Sequence, residues 1–335
     1  MFNFHKDHRT LINTALAGFL LLSLGIAVLP AYQMQDVEPL PSQPLLTEQQ
    51  LKGLSIYISE GCVACHTQQV RSIEMDKMWG GRPSMPSDYY FSKQRMDIWR
   101  QSPSLLGSER TGPDLTNIGK RQPAEQWHLL HLYNPRTVVS ESVMPAYPWL
   151  FETKDASEIS DNDVTVPVGK EFFNDASQQI VATEDALALI AYLQSLKQAE
   201  LPGGTTPAFI ASAKKAPANA TAEQALDLPD GASLYTQTCA ACHQTTGKGL
   251  PGAFPPLSGS SIVNDANYEL LVKIILQGYD ARSEFGQMPA FASQLTNEQI
   301  AAIANHERNS WGNSAAKISA EDVKKIREMV TPAND

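Results

Sequence analysis

The chain has 335 residues, an ordinary apolar fraction and a formal charge of −10. That length holds two small domains plus extra segments, and the acidic balance argues against nucleic acid and for a basic or neutral partner. Its four cysteines fall in two close pairs, Cys62 with Cys65 and Cys239 with Cys242.

The first ten residues are polar and carry Lys6 and Arg9, and Leu11 to Tyr32 is apolar or small and uncharged. Twenty-two helical residues span about 33 Å, close to the roughly 30 Å hydrocarbon core of a bilayer. The alternative is a cleaved signal peptide ending near Ala31. Its apolar region would run for only about 7–15 residues, so the longer run favours a retained anchor. The basic flank is N-terminal, which places that end in the cytoplasm and the rest outside. Residues 33–46 read as an extended tether. Thr47 then caps a helix, with Gln50 reaching back and Leu51, Leu54 and Ile58 on the apolar face.

This helix runs into Cys62-Val-Ala-Cys65-His66, the C-x-x-C-H signature of haem c attachment. Two thiols three residues apart each add to a vinyl group of one porphyrin, and the histidine sits beneath the iron. Residues 67–108 form an aromatic-rich insertion with Met75, Met78, Met85, Met96, Trp79 and Trp99, suited to local burial or to cover by a partner. Gly112-Pro113-Asp114-Leu115 follows. In class I cytochromes c, which this resembles, the proline carbonyl accepts the second imidazole N–H and fixes the ring. Residues 123–134 read as a helix bearing Trp127, His128 and His131. Met144-Pro145-Ala146 offers a sulfur ligand. A hairpin is expected near 164–168, and Thr183 caps an apolar-faced helix of the kind that closes class I domains.

Leu201 to Ala225 is Ala-, Thr-, Lys- and Pro-rich and reads as a solvated linker. A second C-x-x-C-H follows at Cys239, Cys242 and His243. Pro255 stands 12 residues after His243, the spacing of compact class I domains, whereas Pro113 stands 47 after His66. The first unit therefore carries an excursion of about 35 extra residues. Met288 is the single methionine between His243 and Met329 and precedes a proline. Thr296 to Arg308 reads as the closing helix, and Ser319 caps a last one from Ala320 to Val330. A zinc half-site or a redox pair is the other reading of C-x-x-C. Two copies, each followed at once by histidine, argue for two haem c groups.

The expected fold is mainly α: one N-terminal transmembrane helix followed by two class I cytochrome c domains. The expected boundaries are 1–34 for the cytoplasmic N-terminus and anchor, and 35–200 for the first domain with its insertion at 67–108. A linker at 201–225 and a second domain with a C-terminal tail at 226–335 complete the chain. Covalent attachment falls to Cys62, Cys65, Cys239 and Cys242, and axial ligation to His66, Met144, His243 and Met288. A pairing of His66 with His128 or His131 is the alternative in the first unit. Arg71, Arg110, Pro113 and Pro255 are further haem-pocket candidates, the arginines as partners of propionates or of interface carboxylates.

The first unit resembles the membrane-anchored haem c subunit, subunit II, of cbb(3)-type cytochrome c oxidase. Four segments carry the resemblance: the anchor; Glu60 to Arg71; Gly107 to Leu115; and Trp127 through Asn134-Pro-Arg136 to Met144-Pro-Ala-Tyr-Pro-Trp149. Two departures stand out. The family usually has one haem here, and its Glu-x-x-Arg-Tyr-Gly segment is altered to Glu74-Met-Asp-Lys-Met-Trp-Gly80. The appended unit is similar to class I domains fused to oxidases and quinoprotein dehydrogenases, through Phe254-Pro-Pro-Leu257, Met288-Pro-Ala-Phe291 and Ser310-Trp-Gly-Asn313.

The resemblance implies an electron-transfer subunit in a bacterial cytoplasmic membrane, with periplasmic haem domains set in lipid by one span. It implies a haem–copper catalytic subunit as partner, a soluble or membrane-bound cytochrome c donor, and room for further cytochrome c subunits. No catalytic residue is expected here, because one span without a cluster of intramembrane histidines cannot hold an oxygen-reducing site. The alternatives are the cytochrome subunit of nitric oxide reductase and a free-standing anchored dihaem shuttle. The Met-Pro-Ala-Tyr-Pro-Trp segment argues against the first, and the aromatic insertion against the second.

Overall fold

A computed structural model describes residues 6–34, 40–89, 105–202, 207–210, 228–282 and 285–330. The expected contributions of Met96 and Trp99 to the insertion, and most of the expected linker, lie outside the described residues. The chain divides into two compact units. One comprises Met1–Leu45, Val63–Asp114 and Gln198–Ile210, and the other Leu46–Cys62, Leu115–Lys197 and Ala211–Asp335.

The smaller unit begins with the apolar run. Asp7 caps a helix from His8 to Leu22, accepting from the backbone N–H of Arg9 and Thr10. Helical structure continues through a π-helical stretch, Ser23–Val28, and Leu29–Met34. His8–Gln33 is 26 residues long with a mean hydropathy of 2.1, long and apolar enough to cross a membrane. The other described residues of this unit include two short 3-10 helices, Glu74–Met78 and Pro86–Tyr89, and are held by buried charge. Asp76 is fully buried and takes both Arg71 and Arg110. Arg82 and Asp88 pair at 2.7 Å, and Arg82 also donates to the Ala199 carbonyl. Ile210 bridges to Ile73 in parallel, which ties the start of the expected linker back onto this unit.

In the larger unit, Thr47 and Gln50 form the expected capping box at the head of Glu48–Ser59. This helix crosses Glu184–Ser195, capped by Thr183. Glu125–Tyr133 is the expected helix of Trp127, His128 and His131. The expected hairpin differs from what is observed. Phe151–Asp155 pairs antiparallel with Gln178–Ala182, and residues 164–166 lie along the far edge of the second strand, where Val166 N–H donates to Ile180. The first strand, Phe-Glu-Thr-Lys-Asp, is mostly polar, and a polar stretch too long for a tight turn separates it from the second, so local composition concealed the partner.

Also in this unit, Gly231–Thr238 crosses the closing helix Asn297–Arg308, which starts in a second capping box, Thr296 with Gln299. Val263, Leu271, Val272, Ile275, Ile300 and Ile303 build the core around them. Ala320–Val330 buries Val323 and Ile326, and Ser319 and Asp322 exchange hydrogen bonds at its start.

Candidate haem sites

The second C-x-x-C-H is built on two consecutive short helices. Asp230 caps Gly231–Thr238, and after Cys239 the chain turns into Ala240–His243. It leaves through Gln244, a non-glycine residue at φ 61°, whose carbonyl is held by the Tyr235 hydroxyl at 2.7 Å. His243 Nδ1 lies 2.9 Å from the Pro255 carbonyl. A carbonyl oxygen only accepts, so Nδ1 carries the proton and Nε2 keeps the free lone pair. Burial lowers the imidazole pKa and favours that neutral form.

The Pro255 turn is fastened from the C-terminal side. Asn313, buried, accepts from the Gly259 N–H and Asn264 Nδ2 and donates to the Leu257 and Glu307 carbonyls. All four of its hydrogen-bonding positions are used, so it holds the turn in one geometry. Met288 is fixed by a two-way backbone bridge to Tyr279, at 2.8 and 3.0 Å. Gly278, at φ 77°, permits that bridge, because a Cβ there would stand 2.5 Å from the Met288 carbonyl oxygen.

Cys239, Cys242, His243, Pro255 and Met288 all line one cavity of about 320 Å³, walled by Ile262, Ile275 and Ile303. Five residues scattered over 50 positions of sequence are thereby brought to one apolar space. Burial raises both thiols, Cys242 to about 11. Glu307 also lines the cavity, 4% exposed, and burial pushes its carboxyl up to about 8.

The first motif opens with a short 3-10 turn, Cys62–Ala64, after Gly61 at φ 70°. In the smaller unit His66 Nδ1 lies 2.8 Å from the Pro113 carbonyl, the same arrangement as in the second motif. Gly112 lies against this ring, where a Cβ would come within 2.2 Å of Cε1. The turn is held by Asp114, which accepts from Thr67 Oγ1 at 2.6 Å and from the Gln69 N–H at 2.8 Å. Arg71 and Arg110 converge on Asp76, and Arg110 also reaches Thr67 and the Gln69 carbonyl. Burial pushes the Asp76 carboxyl up, but the hydrogen bonds from Arg71 and Arg110 prevail and hold it at about 2.

In the larger unit Met144 is half-buried, its N–H on Ser142 Oγ and its carbonyl accepting from Arg136. His128 is buried with Nε2 donating to the Gln122 carbonyl at 2.8 Å, and burial lowers it to about 4. His131 stacks on Trp127 at 4.4 Å. Sequence reasoning passed over Asp76, Asp114 and Glu307. The first two sit in ordinary-looking polar loops, and Glu307 reads as a surface position of a helix until the cavity is seen.

These donor sets suit a covalently held haem. Each has two thiols on one turn and an imidazole with its Nδ1 already committed, and the second adds a thioether sulfur on the same apolar cavity.

Residues 6–184 match the family described as cytochrome c oxidase, mono-heme subunit/FixO. Residues 226–306 match cytochrome c oxidase, cbb3-type, subunit III. The chain is 41% identical over 124 residues to cytochrome c-552 of Thermus thermophilus, covering 32% of this chain and 82% of that protein. It is 34% identical over 169 residues to the fructose dehydrogenase cytochrome subunit of Gluconobacter japonicus, covering 45% of this chain. It is 32% identical over 164 residues to the cytochrome c subunit of a quinone-dependent alcohol dehydrogenase of Gluconacetobacter polyoxogenes, covering 47% of this chain. In each of these last two the match spans 34% of the relative's length. The FixO match covers more than half of the chain, and with the apolar helix and the two C-x-x-C-H motifs it identifies the protein as a member of the mono-haem subunit family of cytochrome c oxidase, a membrane-anchored cytochrome c electron-transfer subunit extended by a second cytochrome c domain.

Proposed function

We propose that the chain is the dihaem c subunit of a cbb(3)-type haem–copper oxidase, taking electrons from a periplasmic cytochrome donor and delivering them to the oxygen-reducing subunit. The observation that carries this reading is the FixO match over residues 6–184, which includes the anchor and the whole first motif. The domain boundaries are placed at 1–34, 35–200, 201–225 and 226–335. The basic N-terminal flank puts the start of the chain in the cytoplasm and both haem domains in the periplasm, where thiols are joined to haem.

Cys62 and Cys65 would hold one haem by thioether bonds, and Cys239 and Cys242 the other. His66 with Met144, and His243 with Met288, would be the axial pairs. When bound, haem c would supply a one-electron iron couple, the chemistry of outer-sphere electron transfer. The protein's part is positional. The Pro113 and Pro255 carbonyls fix the imidazole tautomer, and Ile262, Ile275 and Ile303 give the second cavity apolar walls.

A second reading follows from the dehydrogenase relatives: the same chain would then serve a quinone-dependent dehydrogenase. Purification in mild detergent with identification of co-purifying chains separates the two. A haem–copper subunit in stoichiometric amount is the expected result, and a dehydrogenase subunit in its place overturns it.

A further inference from the structure

The larger unit contains both the 115–197 part of the first cytochrome region and the whole second one, and within it the two meet along a seam. The seam runs over the face that carries the second attachment motif. Trp127 Nε1 donates to the Ala241 carbonyl at 3.3 Å. Gln122 Nε2 reaches Cys242 Sγ at 3.6 Å. Gln244, the residue after the motif, donates to the Val138 carbonyl at 3.5 Å. A Cβ built on Gly286 would stand 3.2 Å from the Cβ of Ala124, and one on Gly252 would stand 3.6 Å from the Cβ of Pro167.

These contacts share a pattern. In those cited from the motif a backbone carbonyl or the Cys242 sulfur accepts, so they survive conversion of the thiol into a thioether, which removes only the S–H that Cys242 donates to Gln122 Oε1 at 3.8 Å. Those from the loops use glycine, which lets the two backbones approach closely. Arg121 and Gln122 belong to the lining of the cavity that holds Cys239, Cys242, His243 and Met288, although they come from the first cytochrome region. The second cavity is therefore completed by residues more than 100 positions upstream.

The geometry points to an intramolecular docking surface: the Cys242-bearing face of the second cytochrome unit is seated on residues 122–138 and on Pro167 of the first. The second unit is then a fixed neighbour of the first and not a domain swinging on its linker, and this face is closed to outside partners. The inference rests on the proposed haem attachment at Cys239 and Cys242 for its meaning, but its geometry does not.

Two double variants of the full chain test it, each carrying an inserted protease site between 211 and 225. In the first, Ala124→Cys is combined with Gly286→Cys; in the second, Pro167→Cys with Gly252→Cys. The second Cβ separation, 3.6 Å, lies within the about 3.5–4.5 Å of natural disulfides, and the first, 3.2 Å, needs the backbones to part by a few tenths of an ångström. In the haem-loaded protein the native cysteines are blocked, so only the added pair can oxidise. After cleavage, non-reducing electrophoresis should show one full-length band that resolves into two on reduction, while each single variant gives two bands throughout. Two bands without reductant from both double variants would overturn the seam. The second pair lies on exposed Gly252 and decides the matter if the first blocks folding. Haem stain on the released C-terminal fragment is read separately. A linked but unstained fragment sinks the proposed attachment and leaves the seam standing.

Discussion

Gly53 packs against Ala188 so closely that a Cβ on the glycine would stand 1.9 Å from the alanine carbonyl oxygen. The arrangement recurs in the second cytochrome region, where a Cβ on Gly231 would stand 2.1 Å from the carbonyl oxygen of Ala302. Four residues on from each glycine an aromatic pair closes the crossing: Tyr57 with Tyr192 at 5.5 Å, and Tyr235 with His306 at 5.2 Å. Each entry helix is thus pressed onto its closing helix by the same glycine-then-tyrosine ladder.

Gly53→Ala and Gly231→Ala should each force a crossing apart, because the added carbon meets backbone and not a flexible side chain. A loss of about 1–3 kcal/mol is expected for such overpacking. Thermal unfolding of the haem-loaded protein followed by circular dichroism checks it. An unchanged midpoint for either variant would mean that the crossing relaxes without cost.

Met288→Ala should leave haem covalently attached but remove the sulfur-to-iron absorption band of one centre, and Met144→Ala should do the same for the other. Thioether ligation favours reduced iron, so the potential of the altered centre should fall. Redox titration of each variant gives the outcome. A spectrum unchanged in Met144→Ala would move the sixth ligand of the first centre to another side chain.

Much of this was legible in the sequence because it is local. The threonine caps at Thr47 and Thr183, the start of the closing helix at Thr296 and the two motifs were readable from the residues, and the Pro113 and Pro255 turns from the resemblance to class I cytochromes c. Gly53-Leu-Ser-Ile-Tyr57 and Gly231-Ala-Ser-Leu-Tyr235 even repeat in pattern, although a glycine inside a helix signals nothing until its neighbour is known. What escaped was non-local. Phe151–Asp155 finds its strand partner only at Gln178–Ala182, and Asp76 gains its importance from Arg110, 34 residues away.

Asp76 sets the acid limit of the smaller unit. Its carboxyl sits at about 2, below the ordinary 3.8, so its contribution is complete above pH 3.8 and is lost as pH falls through about 2. Asp76→Asn should cost roughly 1.5–3 kcal/mol at neutral pH, the worth of hydrogen bonds to a charged group, and should flatten the acid limb. Unfolding midpoints from pH 7 down to pH 2 test this. Parallel curves for wild type and variant would remove Asp76 from the account.

Glu307 acts in the opposite direction. Burial raises its carboxyl from 4.5 to about 8, so the folded protein binds the extra proton between those values and loses stability as pH rises across that window. Glu307→Gln keeps the shape without the charge and should abolish the decline between pH 4.5 and 8. If wild type and variant show the same pH dependence, the carboxyl is ionised at no cost and something else in the cavity compensates it.

The seam also bears on where an electron donor meets the second unit. With Arg121 and Gln122 on one side of the cavity, its exposed lining includes a rim of Tyr279, 40% exposed, with Asp280, Arg282 and Gln287. From Asp227 to Arg308 acidic residues outnumber basic ones, which favours approach by a basic cytochrome at low salt. Among the described residues of that rim Asp280 is the acidic side chain, beside Arg282. Asp280→Lys should therefore slow second-order reduction by a basic donor several-fold at low ionic strength. The difference should shrink toward nothing once the Debye length falls to about 3 Å near 1 M salt. Reduction by a small uncharged reagent should be unaffected, because it needs no steering. Stopped-flow traces of both reductants across a salt series provide the measurement. A donor rate indifferent to the charge at position 280 would move the entry point away from this rim and, with the seam closed, away from the second unit altogether.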